Sequence, residues 1–118
     1  MLVSQIYLMT DNRRLTMTVK IEKYHILFYG GPEGYASSRS MILLYDDEGR
    51  MSACLRFCDA GMIYENDSEK EGVVYMHLPS HMFSSVVDVI RNEEPLYVYF
   101  AFGRGFLSTS MEPVGEGE

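Results

Sequence analysis

"SMILLYDDEGRMSACLRF", residues 40–57, sets two apolar runs on either side of Asp46-Asp47-Glu48-Gly49. Gly49 is free to take the left-handed conformation that closes a short turn, so the stretch predicts a β-hairpin. Working outward, "RLTMTVKI" (14–21) alternates Leu15, Met17, Val19 and Ile21 with Thr16, Thr18 and Lys20. That period of two is the signature of a half-buried strand. Downstream, "GMIYENDSEKEGVVYMHL" (61–78) predicts a second hairpin around a polar loop from Glu65 to Gly72. "PLYVYFAFGRGFLSTSM" (95–111) predicts a third around Gly103-Arg104-Gly105, and its run "LYVYFAF" reads as a central strand covered on both faces.

One segment breaks the pattern. In "LPSHMFSSVVDVIRNEEP" (78–95), Met82, Phe83, Val86, Val87 and Ile90 recur at helical spacing, while Ser84, Ser85, Asp88 and Arg91 face away. Ser80 is placed to cap this helix and Pro95 to end it. The expected fold is therefore mainly β, of the α+β kind: an antiparallel β-barrel or strongly bent sheet of six to eight strands, with one α-helix near residues 80–92. Residues 1–111 form a single globular domain in this reading. Residues 112–118 form an acidic tail, either disordered or docked on a neighbour through Met111 and Val114.

Composition narrows the function classes. The chain has 118 residues, enough to bury a core without covalent staples, and is 47% hydrophobic, too apolar for a disordered chain. Its net charge is −7. Residues 1–59 carry seven Lys/Arg against seven Asp/Glu and residues 60–118 three against ten, so the excess lies wholly in the second half. This balance disfavours nucleic acid and anionic membranes, which are bound by neutralising phosphates. Arg13-Arg14 is the only adjacent basic pair and reads as a solvated turn. The N-terminus has no basic segment ahead of its apolar residues, and no apolar run approaches the roughly 20 residues of a spanning helix, so a cytoplasmic location is expected.

Cys54 and Cys58 lie four apart in one strand, about 13 Å at the usual rise, beyond disulfide reach. They read as free, buried thiols on one face.

The glycine-rich stretch "FYGGPEGYASSRS" (28–40) has the composition of a phosphate-cradling loop. Such loops feed a helix N-terminus, whereas here a strand follows, and both the Gly-Lys-Ser/Thr ending and the GxGxxG spacing are absent. What remains is a connection with Tyr35, Ser37, Ser38 and Arg39 available for hydrogen bonding. Three further patterns fail. After Arg104-Gly105-Phe106, Leu107 and Ser108 stand where an RNA-recognition strand needs a small residue and an aromatic. In "NDSEKEG", Gly72 falls one place late for the Asn/Asp-x-Ser-x-x-Gly pattern of cyclic-dinucleotide barrels. His77 and His81 have the spacing of a helical zinc pair, but Pro79 and the cap at Ser80 interrupt it.

No cofactor and no metal are expected. Nine Tyr, six Phe and nine Met exceed what so small a domain buries readily, which points to a pocket or a subunit interface and to a homodimer. The favoured function is a non-catalytic binding or protein-interaction module, self-associating, with a protein or small-molecule partner. Its candidate contacts are Gly34, Tyr35, Ser38, Arg39 and Arg104. The alternative is a small enzyme whose acid–base group is His25, His77 or His81.

Overall fold

The computed structural model describes residues 5–9, 15–111 and 113–115, with side chains described from residue 18 onward. Glu112 and residues 116–118, most of the expected acidic tail, lie outside the described residues, as does the Arg13-Arg14 pair.

Among the described residues, nine strands and one α-helix follow in the order β1 (Gln5–Met9), β2 (Leu15–Ile21), β3 (Lys23–Phe28), β4 (Ser40–Tyr45), β5 (Met51–Cys58), β6 (Ser68–Lys70), β7 (Val73–Pro79), α1 (Phe83–Asn92), β8 (Leu96–Ala101) and β9 (Arg104–Thr109). They form a four-stranded sheet, β1-β2-β8-β9, and a five-stranded sheet, β3-β4-β5-β7-β6. The fold is mainly β with one short helix. The described strands close no barrel and exceed the six to eight expected. The reason lies at Glu22, a single residue between β2 and β3 whose N–H donates to the Tyr45 carbonyl. There the chain leaves one sheet for the other, which makes a corner instead of a continuous ladder.

The hairpin at residues 40–57 is present as β4–β5, with Gly49 at φ 81°. The other two turns are tighter than expected. Glu71-Gly72 and Phe102-Gly103 both take positive φ at two consecutive residues, the geometry of two-residue hairpins that match strand twist. Consequently Val73–Pro79 pairs antiparallel with the short β6, and its other edge pairs parallel with β5. This parallel ladder departs from the all-antiparallel expectation. The loop from Asp59 to Asp67 carries the chain back to the start of the sheet and makes it possible.

The core lies between the sheets and under α1. Ile42, Leu44, Leu55, Phe57 and Val98 are fully enclosed there, with Val86 and Ile90 of the helix packed on them. Phe83 wedges between Phe57 and Phe28, at centroid distances of 5.1 and 4.9 Å. The expected apolar face holds at Phe83, Val86, Val87 and Ile90, but Met82 is exposed and the helix starts later than expected. A 3₁₀ turn at Ser80–Met82 precedes α1, and no side-chain cap bond is made at either beginning. β8 is central as expected, though covered on one face only. Val98 points into the core, while Tyr99 stacks on Phe106 at 4.7 Å on the half-open side. Gly105 lets β9 approach β7, because a Cβ there would run into Met76 and Val74.

Candidate functional site

Ladder register places Phe28, Ser40 and Phe57 in one row and Cys58 beside Pro79 in the next. The ends of β3, β5 and β7 and the start of β4 thus meet at one end of the five-stranded sheet. Two loops leave from it, Tyr29–Arg39 and Asp59–Asp67. Between them lies an open groove of about 680 Å³, walled by Pro32–Ser37 on one side and Asp59–Ile63 on the other.

Arg39 holds the glycine-rich loop in shape. Its Nε donates to Asp59 Oδ2 at 2.9 Å, Nη1 to the carbonyls of Tyr29 (2.7 Å) and Gly31 (2.8 Å), and Nη2 to that of Pro32 (3.1 Å). All but one of the guanidinium N–H groups are thereby committed inside the protein. Hydrogen bonds from Arg39 and then from the Ser80 hydroxyl hold the Asp59 carboxyl below its usual range. Ser38 is likewise spent internally: it is buried, and its Oγ donates to the Tyr35 carbonyl at 2.8 Å. Tyr35 and Ser38 also exchange both backbone hydrogen bonds at 3.0 Å. The turn between them puts Ala36 and Ser37 at φ 52° and 58°, left-handed positions that non-glycine residues seldom occupy. Gly34 belongs to the same turn, since a Cβ there would strike the Ser38 carbonyl.

The loop therefore presents one large side chain. Tyr35 leans on Tyr29 at a centroid distance of 5.2 Å and remains 65% exposed. On the facing wall Ile63 is 79% exposed, and Phe28 and Tyr64 add exposed apolar surface nearby. Of the sequence candidates, Gly34, Tyr35, Ser38 and Arg39 do come together. Arg104 is the first residue of β9, just past the β8–β9 turn, and does not line the groove.

The three histidines do not converge. His25 is exposed on β3 and His81 is exposed in the 3₁₀ turn, whereas His77 is enclosed on β7. His25 and His77 stand three ladders apart, roughly 14 Å at the usual strand spacing. Among the described residues, no group of three or more His, Cys, Asp or Glu side chains is placed to hold a metal ion.

His77 does face a second cavity, on the side of the five-stranded sheet turned away from the core. About 220 Å³ in volume, it is lined by Arg56, Glu65, Ser68, Lys70, Tyr75 and His77. Asp67 orients the imidazole: its Oδ1 accepts the His77 backbone N–H at 2.9 Å and lies 3.4 Å from Nδ1, while its Oδ2 accepts the Gly105 N–H at 2.9 Å. His77 Nε2 and Arg56 Nε are both buried with no hydrogen-bond partner among the described residues. An unpaired buried polar group of this kind costs about 1–3 kcal/mol. Cys54 and Cys58 flank Arg56 on the same strand face as free, buried thiols. Burial pushes both thiols up, with Arg56 partly offsetting it, which works against a thiolate nucleophile.

Sequence reasoning missed Arg56, Asp67 and Lys70. Arg56 had a signal, as the one cation inside the apolar run "MSACLRFC". No family model, no curated protein and no solved structure matches this chain.

Proposed function

We propose that this chain is a non-catalytic interaction module that self-associates, and that the loop end of the five-stranded sheet is its contact surface. The observation that carries this reading is Tyr35, held exposed across a groove from Ile63 by a loop whose polar groups are consumed internally. An anion cradle needs free donors, and Arg39 and Ser38 have almost none left. What the loop offers instead is an aromatic ring with a polar tip and an aliphatic neighbour, the residue types that anchor protein–protein contacts. The stapling by Arg39 fixes that ring in place beforehand, which lowers the ordering cost of association.

The test is sedimentation velocity on the full chain. The wild type runs as a dimer, and Tyr35→Ala/Ile63→Ser runs as a monomer. Both side chains are exposed, so the variant's Tm stays within about 3 °C of the wild type. A monomeric wild type, or a double variant that remains dimeric, removes the proposal.

A second reading, a small enzyme with a histidine acid–base group, has the Asp67–His77 pair in its favour. It requires that replacing His77, and neither His25 nor His81, abolishes turnover.

A further inference from the structure

Arg56 makes no ion pair among the described residues. Three other cations are paired: Arg39 with Asp59, Arg50 with Asp46 and Glu48, Lys20 with Glu22. Arg56 is half-buried, and among the described residues no carboxylate lies within ion-pair distance of it. Its neighbours are the face of the Tyr75 ring, 6.0 Å away, and the flanking thiols. Charged groups withdrawn from water are ordinarily paired, so this arrangement lacks a partner.

We propose that the cavity bounded by Arg56, Ser68, Lys70, Tyr75 and His77 binds the oxyanion of a small molecule, a carboxylate or a phosphate group. The site is independent of the loop-end surface.

Four observations support it. First, Arg56 Nε is a buried donor with no nitrogen or oxygen acceptor among the described residues, only the Cys54 thiol beside it. Second, the His77 side chain is only 5% exposed and its Nε2 is equally unpartnered, free to accept from a protonated oxygen or, when protonated, to donate to an ionised one. Third, the nearest enclosed acid is already spent. Asp67 accepts two backbone N–H groups and faces Nδ1, so both of its oxygens are engaged, and it does not line the cavity. Fourth, strand register brings Lys70 and Ser68 to the same face, since they pair with Val73 and Tyr75 across the β6–β7 hairpin.

Glu65 is the one acid in the lining, and its side chain is largely solvent-exposed, with Oε1 4.0 Å from Nε2. Arg56 and Lys70 against Glu65 leave the lining with one net positive charge, in a protein whose net charge is −7. Two fixed cations also disfavour a metal ion there. The volume is below the range of about 300–1,000 Å³ usual for drug-sized ligands, which suits a small acid and not a polymer.

The experiment is NMR on the full chain, following the Arg56 Nε–H and His77 ring signals. Sodium phosphate and sodium acetate are titrated separately, with ionic strength held constant by sodium chloride. The expected result is saturable shifts with at least one of the two, half-complete at or below about 10 mM. Response to phosphate alone assigns a phosphoryl group, and response to acetate alone a carboxylate. Arg56→Met abolishes the saturable response. Lys70→Met, on the exposed edge strand, weakens it by about tenfold or more and serves if the Arg56 variant fails to fold. Shifts that stay linear for both anions, or saturable binding that survives in every folded variant, overturn the proposal.

Discussion

Gly34 and Gly49 both hold positive φ, 66° and 81°, but they differ in what surrounds the missing side chain. Nothing lies within 4 Å of a Cβ built at Gly49, whereas one built at Gly34 meets the Ser38 carbonyl. Gly49→Ala therefore carries only the cost of a left-handed alanine, about 1 kcal/mol. Gly34→Ala adds a backbone collision and is expected to cost about 2–4 kcal/mol, so urea midpoints should rank the two well apart. Equal midpoints would mean that the Tyr35–Ser38 turn moves aside freely. At this scale the sequence was only partly legible. A glycine-rich stretch ending in an arginine signals a constrained loop, but not whether the guanidinium faces outward. The partners of Arg39 are mostly backbone carbonyls, which any sequence supplies. Asp67 carried no local mark at all, because the groups it binds, at His77 and Gly105, arrive from later strands.

Among the elements, the β4–β5 hairpin rests on one carboxylate. Asp46 Oδ1 accepts the N–H groups of Glu48 and Arg50, both at 2.9 Å, and Oδ2 accepts from Arg50 Nε at 3.2 Å. Burial alone would raise this acid. The amides of Arg50 and Glu48 and the Arg50 guanidinium outweigh it and hold the carboxyl below its usual range. A carboxyl depressed on folding contributes stability that is fully present above its unfolded value, about 3.9, and is lost as pH falls through the folded one. Tm measured from pH 6 to pH 2 is expected to fall below about pH 4, and Asp46→Asn to be less stable at pH 6 with a shallower acid decline. An unchanged profile in the variant would discard the assignment. Hairpin 40–57 and the apolar face of α1 were readable because turn chemistry and periodicity are local. The missing cap at Ser80 and the choice of β6 as hairpin partner for β7 were not. Both depend on how the loop from Asp59 to Asp67 returns the chain.

At the scale of the whole molecule, a mainly β chain with one helix was evident from composition and alternation, and the division into two sheets was not. Nothing in "RLTMTVKIEKYHILF" marks Glu22 as the place where the chain changes sheets, since strands flank it on both sides. Among the described residues no helix is long and apolar enough to cross a membrane, in keeping with the short apolar runs.

The sheet change at Glu22 also sets an order of assembly. The five-stranded sheet is built from one uninterrupted stretch, β3 to β7, whereas the other unites both chain ends, with Val19 beside Val98. Closing that longer loop costs more chain entropy and rewards it later, so the contiguous sheet forms first and offers the surface on which the termini condense. Pulse-labelled hydrogen exchange during refolding should find the amides of Ser40–Cys58 protected before those of the β2–β8 ladder, Val19–Ile21 and Leu96–Val98; simultaneous protection would show that the two sheets arise in a single step.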